Sequence, residues 1–423
     1  MQIHIVSPGE TVGGIADLYS VSPARLVYDN QLTEQEHLVP GQALLILIPD
    51  TIHLVQPGET ASSVAQNYGI SLLQLYRNNP FLINQPFLLP GEYLVIRYTD
   101  SPDYPLESDG YAYPYINRPL LRETLPFLSY LSVFSYGFTP DGELLPIDDE
   151  PLLSLASEYG TKSVLVLTPF SETGTFDNAL VTLATQNPVV QENLINNLVR
   201  TVMAKGYSEV DVDFEYILPQ DRQAYAAFVG SLRQRMNALG ITVTVALAPK
   251  ISDDQPGLLY EGMDYRLLGE AADTVLLMTY EWGYTYGPPM AVAPIPSVRR
   301  VLDYAVSVIP PEKISMGIPN YGYDWPLPFV RGQTAARSIG NQEAVAIAAA
   351  NNASIQYDET AQAPFFEYIS DGISHIVWFE DVRSILAKFA LIKEYGFSRT
   401  DYWQLMRSFR QNWLLLNAKF LLP

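Results

Sequence analysis

The stretch VDVDFEY, residues 210–216, places three carboxylates at alternate positions, Asp211, Asp213 and Glu215, between Val210, Val212, Phe214 and Tyr216. Side chains alternate along a strand, so the three acids share one face, each roughly 7 Å from the next. In a shielded space they cannot all ionise cheaply. Repulsion raises at least one pKa and keeps a proton available near neutral pH, which is what a general acid requires. Glu215, last in the row, is best placed to meet a substrate. A solvated acidic face on an edge strand is the alternative, and it fits the central strand of a barrel poorly.

The elements that must carry this row read as alternating strands and helices. Strand candidates lie at 111–116, 130–138, 163–170, 209–215, 242–250, 274–282, 314–323 and 400–406. Helical patterns separate most of them, most clearly 187–206 and 221–240. Such alternation predicts an α/β fold, a parallel (β/α)8 TIM barrel. The acids would then point inward and climb to the C-terminal mouth. A doubly wound open sheet would carry a glycine-rich turn after its first strand, and none is present. A segment at about 331–380, with runs such as ASIQYDE and PFFEYIS, reads as a small α+β insertion between strands 7 and 8.

The front of the chain repeats. HIVSPGET begins at His4 and HLVQPGET at His53; VPGQALLI (39–46) matches LPGEYLVI (89–96). Periods of this length mark repeated units. Each unit reads strand, helix, helix, strand, with Thr11, Thr60, Ser22 and Ser71 as helix N-caps. The expected division is one unit at 1–48, a second at 49–98, a Pro/Ser/Asp-rich linker at 99–110 separating them from the rest, and the barrel at 111–423.

Composition narrows the partners. There is no cysteine, and of His4, His37, His53 and His375 only the last lies beyond the repeats. No metal or cofactor is expected. His375 reads as structural. The net charge of -21 argues against nucleic acid and anionic membrane surfaces. No apolar run is long enough to span a membrane, and the first residues lack a signal-peptide pattern. A neutral or weakly charged polymer is the better partner, in keeping with 28 tyrosines. Oligomeric state is not legible.

The repeated unit resembles the LysM module, a βααβ fold that binds glycans containing N-acetylglucosamine. That resemblance implies a glycan groove between Gly9, Glu10 and Thr11 and the loop near Asn30, and again between Gly58, Glu59 and Thr60 and the loop near Asn79. The remainder resembles glycoside hydrolase family 18. The last three acids of that family's D-x-x-D-x-D-x-E pattern fall on Asp211, Asp213 and Glu215; the first falls on Ser208, a departure, and Phe214 replaces a frequent Trp. MTYEW (278–282) looks like the family's M-x-Y-D with Glu281 in place of Asp, and YGYDW (321–325) looks like the end of strand seven.

The resemblance implies retaining hydrolysis without a protein nucleophile. Glu215 would be the proton donor and the substrate's 2-acetamido group the nucleophile. Asp213 and Tyr280 would hold the acetamide, and Asp211 would share a proton with Asp213. Met278, Glu281 and Trp403, the last as floor of the sugar site, would contact the substrate; Tyr113, Tyr136, Tyr321 and Tyr323 lie at predicted strand C-ends, consistent with sugar-facing rings, with ordinary packing the alternative for each. Paired LysM modules before such a barrel, with TYEWGYTYGPPMAVAPI (279–295) and QNWLLL (411–416), resemble the spore cortex-lytic N-acetylglucosaminidases. The implied substrate is peptidoglycan, and the implied location is the spore coat, cortex or cell wall, without a cleavable signal peptide. A chitinase and a non-catalytic glycan-binding lectin are the alternatives; products from cortex fragments and chitin oligomers would separate all three.

Overall fold

The computed structural model describes residues 1–32, 38–85, 87–171 and 174–423; His37 lies outside them. The first repeat is β1 (Gln2–Ile5), α1 (Val12–Tyr19), α2 (Pro23–Asp29) and β2 (Ala43–Ile46); the second is β3 (Pro49–Leu54), α3 (Ala61–Tyr68), α4 (Leu72–Asn78) and β4 (Tyr93–Tyr98). Each repeat closes an antiparallel strand pair over its two helices. The four expected N-caps form: Thr11, Ser22, Thr60 and Ser71 each accept a backbone N–H from three residues on, as a side-chain oxygen at that position should.

Eight parallel strands then close a barrel in chain order: β5 (Glu107–Ala112), β6 (Tyr130–Tyr136), β7 (Lys162–Leu167), β8 (Glu209–Val212), β9 (Thr242–Leu247), β10 (Thr274–Leu277), β11 (Ile314–Pro319) and, after an excursion, β17 (Arg399–Trp403), which pairs with β5. The excursion is a five-stranded antiparallel sheet of β12 (Gly322–Pro326), β13 (Arg337–Ile339), β14 (Gln356–Asp358), β15 (Ala363–Ser370) and β16 (Ile373–Trp378), with a helix at Asn341–Ala350. Outward residues such as Val210, Val212 and Phe214 are fully buried against the surrounding helices.

The first barrel strand begins inside the expected linker. ESDGYA reads as loop because Ser108 and Asp109 are polar, yet both are buried: Ser108 Oγ donates to Phe127 O at 2.6 Å, and Asp109 accepts from Arg399 at 2.8 Å. A barrel lined with charge hides its strands from a reading based on apolar runs. YGYDW is likewise not the end of strand seven; it forms β12 of the inserted sheet, pairing antiparallel with β16.

Nor does the linker separate the repeats from the barrel. Arg77 donates to Pro126 O at 2.6 Å and to Leu422 O at 3.0 Å. The barrel's last helix, Arg410–Lys419, meets both repeats: Gln411 Nε2 donates to Asn30 Oδ1 at 2.7 Å and Asn417 Nδ2 to Asn78 Oδ1 at 3.0 Å. The turn before β2 seats against the insertion, with Ile355 N–H donating to Pro40 O at 2.9 Å and Val39 joining the insertion's core. Gly41, at φ +83°, permits this approach, since a Cβ there would lie 1.8 Å from Ile355 O. Among the described residues, no helix is long and apolar enough to cross a membrane.

Candidate active site

Beyond Val212, β8 leaves its ladder, and Asp211, Asp213 and Glu215 rise in turn toward the mouth. Asp211 is 1% and Asp213 6% exposed; Glu215 is half-buried. Asp213 and Glu215 reach the wall of a cavity of about 870 Å³, counting its open mouth, and Asp211 bonds Tyr111 of its lining. Asp213, Glu215, Tyr280, Met278, Glu281, Tyr113 and Trp403 all line it. The sequence reading thus placed these residues together. It missed Tyr111, Phe134, Phe170 and Phe176, which complete the aromatic wall. Alternation along β5, β6 and the expected strand 163–170 pointed to Tyr111, Phe134 and Phe170; Phe176, whose ring lies 4.6 Å from that of Phe170, had no such signal.

The electrostatics follow from burial. Asp211 is pushed up to about 7 by desolvation, helped by Glu209 and Asp109 and opposed by the Tyr111 hydroxyl and Arg399. Tyr111 Oη donates to Asp211 Oδ2 at 2.7 Å. Asp213 stands well above the usual carboxylate range, through burial first and then the charges of Glu215 and Asp211. Glu215 is pushed up to about 7 by burial and by Glu281. Asp211 Oδ1 and Asp213 Oδ1 are buried without a protein partner. Two such oxygens on neighbouring acids of one strand face suit a shared proton.

Several expected contacts are corrected. Tyr136 does not face the cavity. A register shift between Val133 and Tyr136 breaks the alternation of β6, and the ring turns toward the helices, where its hydroxyl donates to Asp149 Oδ2 beside Tyr207 and Lys205. Tyr321 and Tyr323 are buried behind the cavity wall rather than on it. Both hydroxyls donate to Glu281, that of Tyr323 at 3.0 Å, so they hold Glu281 rather than a sugar. Glu281 itself sits at φ +66°, a left-handed conformation costly for a side-chain-bearing residue.

In the repeats, Asn30 and Asn79 are 1% and 0% exposed. Asn79 clips α4 to β4, accepting from Val95 N–H at 2.8 Å and donating to Val95 O at 2.7 Å. Asn30 does the same to Leu45 of β2. They are internal braces and not glycan contacts. Glu10 and Glu59 turn back on Ser7 N–H and Gln56 N–H and on His4 and His53, while Gly9, Thr11, Gly58 and Thr60 stay exposed. His375 pairs with Asp324 at 2.9 Å and stacks on Tyr368, inside the insertion.

Residues 171–406 match the glycosyl hydrolases family 18, and residues 4–47 and 53–97 each match the LysM domain. The cortical fragment-lytic enzyme of Bacillus subtilis (strain 168) is 42% identical over 99% of this chain and 98% of its own. The crystal structure of the Bacillus cereus spore cortex-lytic enzyme SleL superposes with a TM-score of 0.85 at 37% identity, covering 100% of this chain and 98% of that one. The SleL of Bacillus megaterium QM B1551 gives 0.83 at 37% identity, with the same coverage.

Proposed function

The chain belongs to the glycosyl hydrolases family 18, and on that premise we propose that it is an N-acetylglucosaminidase that cleaves the glycan strands of spore-cortex peptidoglycan, with its LysM modules gripping the same polymer. One observation carries this reading: above the buried Asp211 and Asp213, the half-buried Glu215 stands at the wall of an aromatic cavity. Full-length likeness to cortex-lytic enzymes directs the choice of substrate. A spore or wall location goes with that substrate.

Family 18 is itself one of the recognised exceptions to two-carboxylate hydrolysis. Glu215, protonated near neutral pH, gives its proton to the glycosidic oxygen as the bond to the anomeric carbon breaks. The carbonyl oxygen of the substrate's 2-acetamido group attacks that carbon, forming an oxazolinium ion. Asp213 orients the acetamide N–H and balances its growing positive charge; the Tyr280 hydroxyl donates to the acetamide oxygen. Asp211 takes up the proton that Asp213 releases. Water, deprotonated by Glu215 as base, then reopens the ring with retention. Trp403, Tyr113 and Met278 form the apolar floor under the sugar. Glu281 is a polar contact for the sugar on the leaving side. Fixed charge beside a cationic nitrogen in a dry site contributes on the order of 3 kcal/mol.

Glu215→Gln is expected to lower turnover of soluble cortex fragments by at least about a hundredfold, read as reducing-end release, with sedimentation on purified cortex unchanged. Turnover near wild type would remove Glu215 as the donor. Chitin oligomers serve as the comparison substrate, and a preference for them would move the enzyme to the chitinases.

A further inference from the structure

The inward row on β8 does not begin at Asp211. Two residues earlier, Glu209 faces the same way and is 2% exposed. It meets Arg399, at the start of β17, which is 5% exposed. The guanidinium donates to Glu209 Oε2 at 3.0 Å and to Asp109 Oδ2 at 2.8 Å, with Nε 3.7 Å from Asp401 Oδ1. Its central carbon, Cζ, lies over the Tyr130 ring, 4.1 Å from the ring centre. The carboxylates are themselves fixed. Thr242 and Thr244 hydroxyls donate to Glu209, each at 2.9 Å, and Ser132 Oγ to Asp109 at 2.7 Å.

Barrel interiors at this depth are ordinarily filled with branched apolar residues, and a buried ion cluster offers no stability over such packing. The cluster therefore calls for another role. Arg399 stays charged at any pH the protein survives, and it stands beneath Asp211. That acid is also faced by Tyr111 and Asp109 from β5 and by Asp213 above it, which in turn meets Glu215. Asp401 on β17, Tyr280 beyond β10, Tyr225 of the helix Arg222–Asn237 and, through Glu215, Glu281 complete the ionisable surroundings of the Asp211–Asp213 pair. These are acids and phenols; Arg399 is the cation that opposes them at Asp211.

We propose that Arg399 is a positioning residue for the hydrolysis, supplying from below, through its clamp on Glu209 and Asp109, the fixed positive charge that holds one negative charge on the Asp211–Asp213 pair. This rests on the reading of Glu215 as donor and Asp213 as acetamide partner. The charge acts through the pair and touches no sugar. It makes Asp213 anionic when the oxazolinium forms, while Glu215, farther up the strand, keeps its proton.

The test is kcat/KM against pH on soluble cortex fragments, whose acid limb reports ionisation of the free enzyme. Arg399→Met removes the cation, and the acid limb is expected to move up by about one pH unit. Arg399→Lys keeps the charge and leaves the limb within about 0.3 unit of wild type. Glu209→Gln and Asp109→Asn remove negative charge and move the limb down. Opposite displacements from one cluster are not the signature of a merely loosened barrel. If Arg399→Met does not fold, Glu209→Gln and Asp109→Asn decide the matter by themselves. An unmoved limb in folded Arg399→Met, Glu209→Gln and Asp109→Asn, or the same direction in all three, overturns the proposal. Glu215→Gln assayed alongside separates the two levels. Inactive Glu215→Gln with unmoved limbs sinks only the role of Arg399; active Glu215→Gln sinks the mechanism beneath it.

Discussion

Glu215 carries a cost that its chemistry explains. Folded, it is held up to about 7 by burial and by Glu281; unfolded, it returns to about 4.5. The stability it contributes is fully present below about 4.5 and is lost as pH rises through about 7. Unfolding free energy should therefore fall between pH ~5 and ~8, and Glu215→Gln should recover on the order of 2 kcal/mol of that fall, measured by urea titration at both pH values. Tyr280→Phe tests the other side of the acetamide: kcat/KM should drop about a hundredfold while the thermal midpoint stays put. Among individual residues, the acid row and the Met278–Glu281 stretch were legible because they combine spacing with type. Tyr136 was not, because one register shift reverses which way a strand residue points. Tyr321 and Tyr323, expected as sugar-facing rings, lie behind the cavity wall and give their hydroxyls to Glu281.

At the scale of elements, the strand that was easiest to read is β7, apolar and fully buried from Val164 to Leu167. β5 was misplaced by several residues because its inward face carries Asp109, a partner of Arg399 that no local pattern announces. Glu209 escaped notice for the same reason: its partner lies 190 positions further along the chain. In the repeats, the helix caps were read correctly from local sequence, whereas Asn30 and Asn79 looked like loop residues free to meet a glycan. Each instead spans from a helix end to the closing strand. Asn79→Ala would strip the Val95 N–H and C=O of their partners, and each orphaned group costs about 1–3 kcal/mol. The expected result is a lower urea midpoint with unchanged binding to insoluble cortex below the transition.

For the whole molecule, the repeats are part of the folded body. Removing residues 1–98 would uncover Gln411 and Asn417 on the barrel's last helix and leave the insertion's face around Ile355 open. The truncated enzyme should melt lower than the full chain, by more than Asn79→Ala does, in a calorimetric scan. A match of cleavage rate and melting point to the intact protein would contradict this docking. The order of units was legible from the repeat and the strand count. Their docking was not, since it is made by scattered polar residues whose pairing exists only in three dimensions.

The contact of Gly41 with Ile355 has a consequence for work on an insoluble substrate. Grip and blade are welded, not strung on a cord, so a molecule holding the wall at one spot can reach only the bonds lying at one fixed span from it. Each new cut demands that the hold be given up and taken again elsewhere, which sets a ceiling on how tightly such an enzyme can profitably cling.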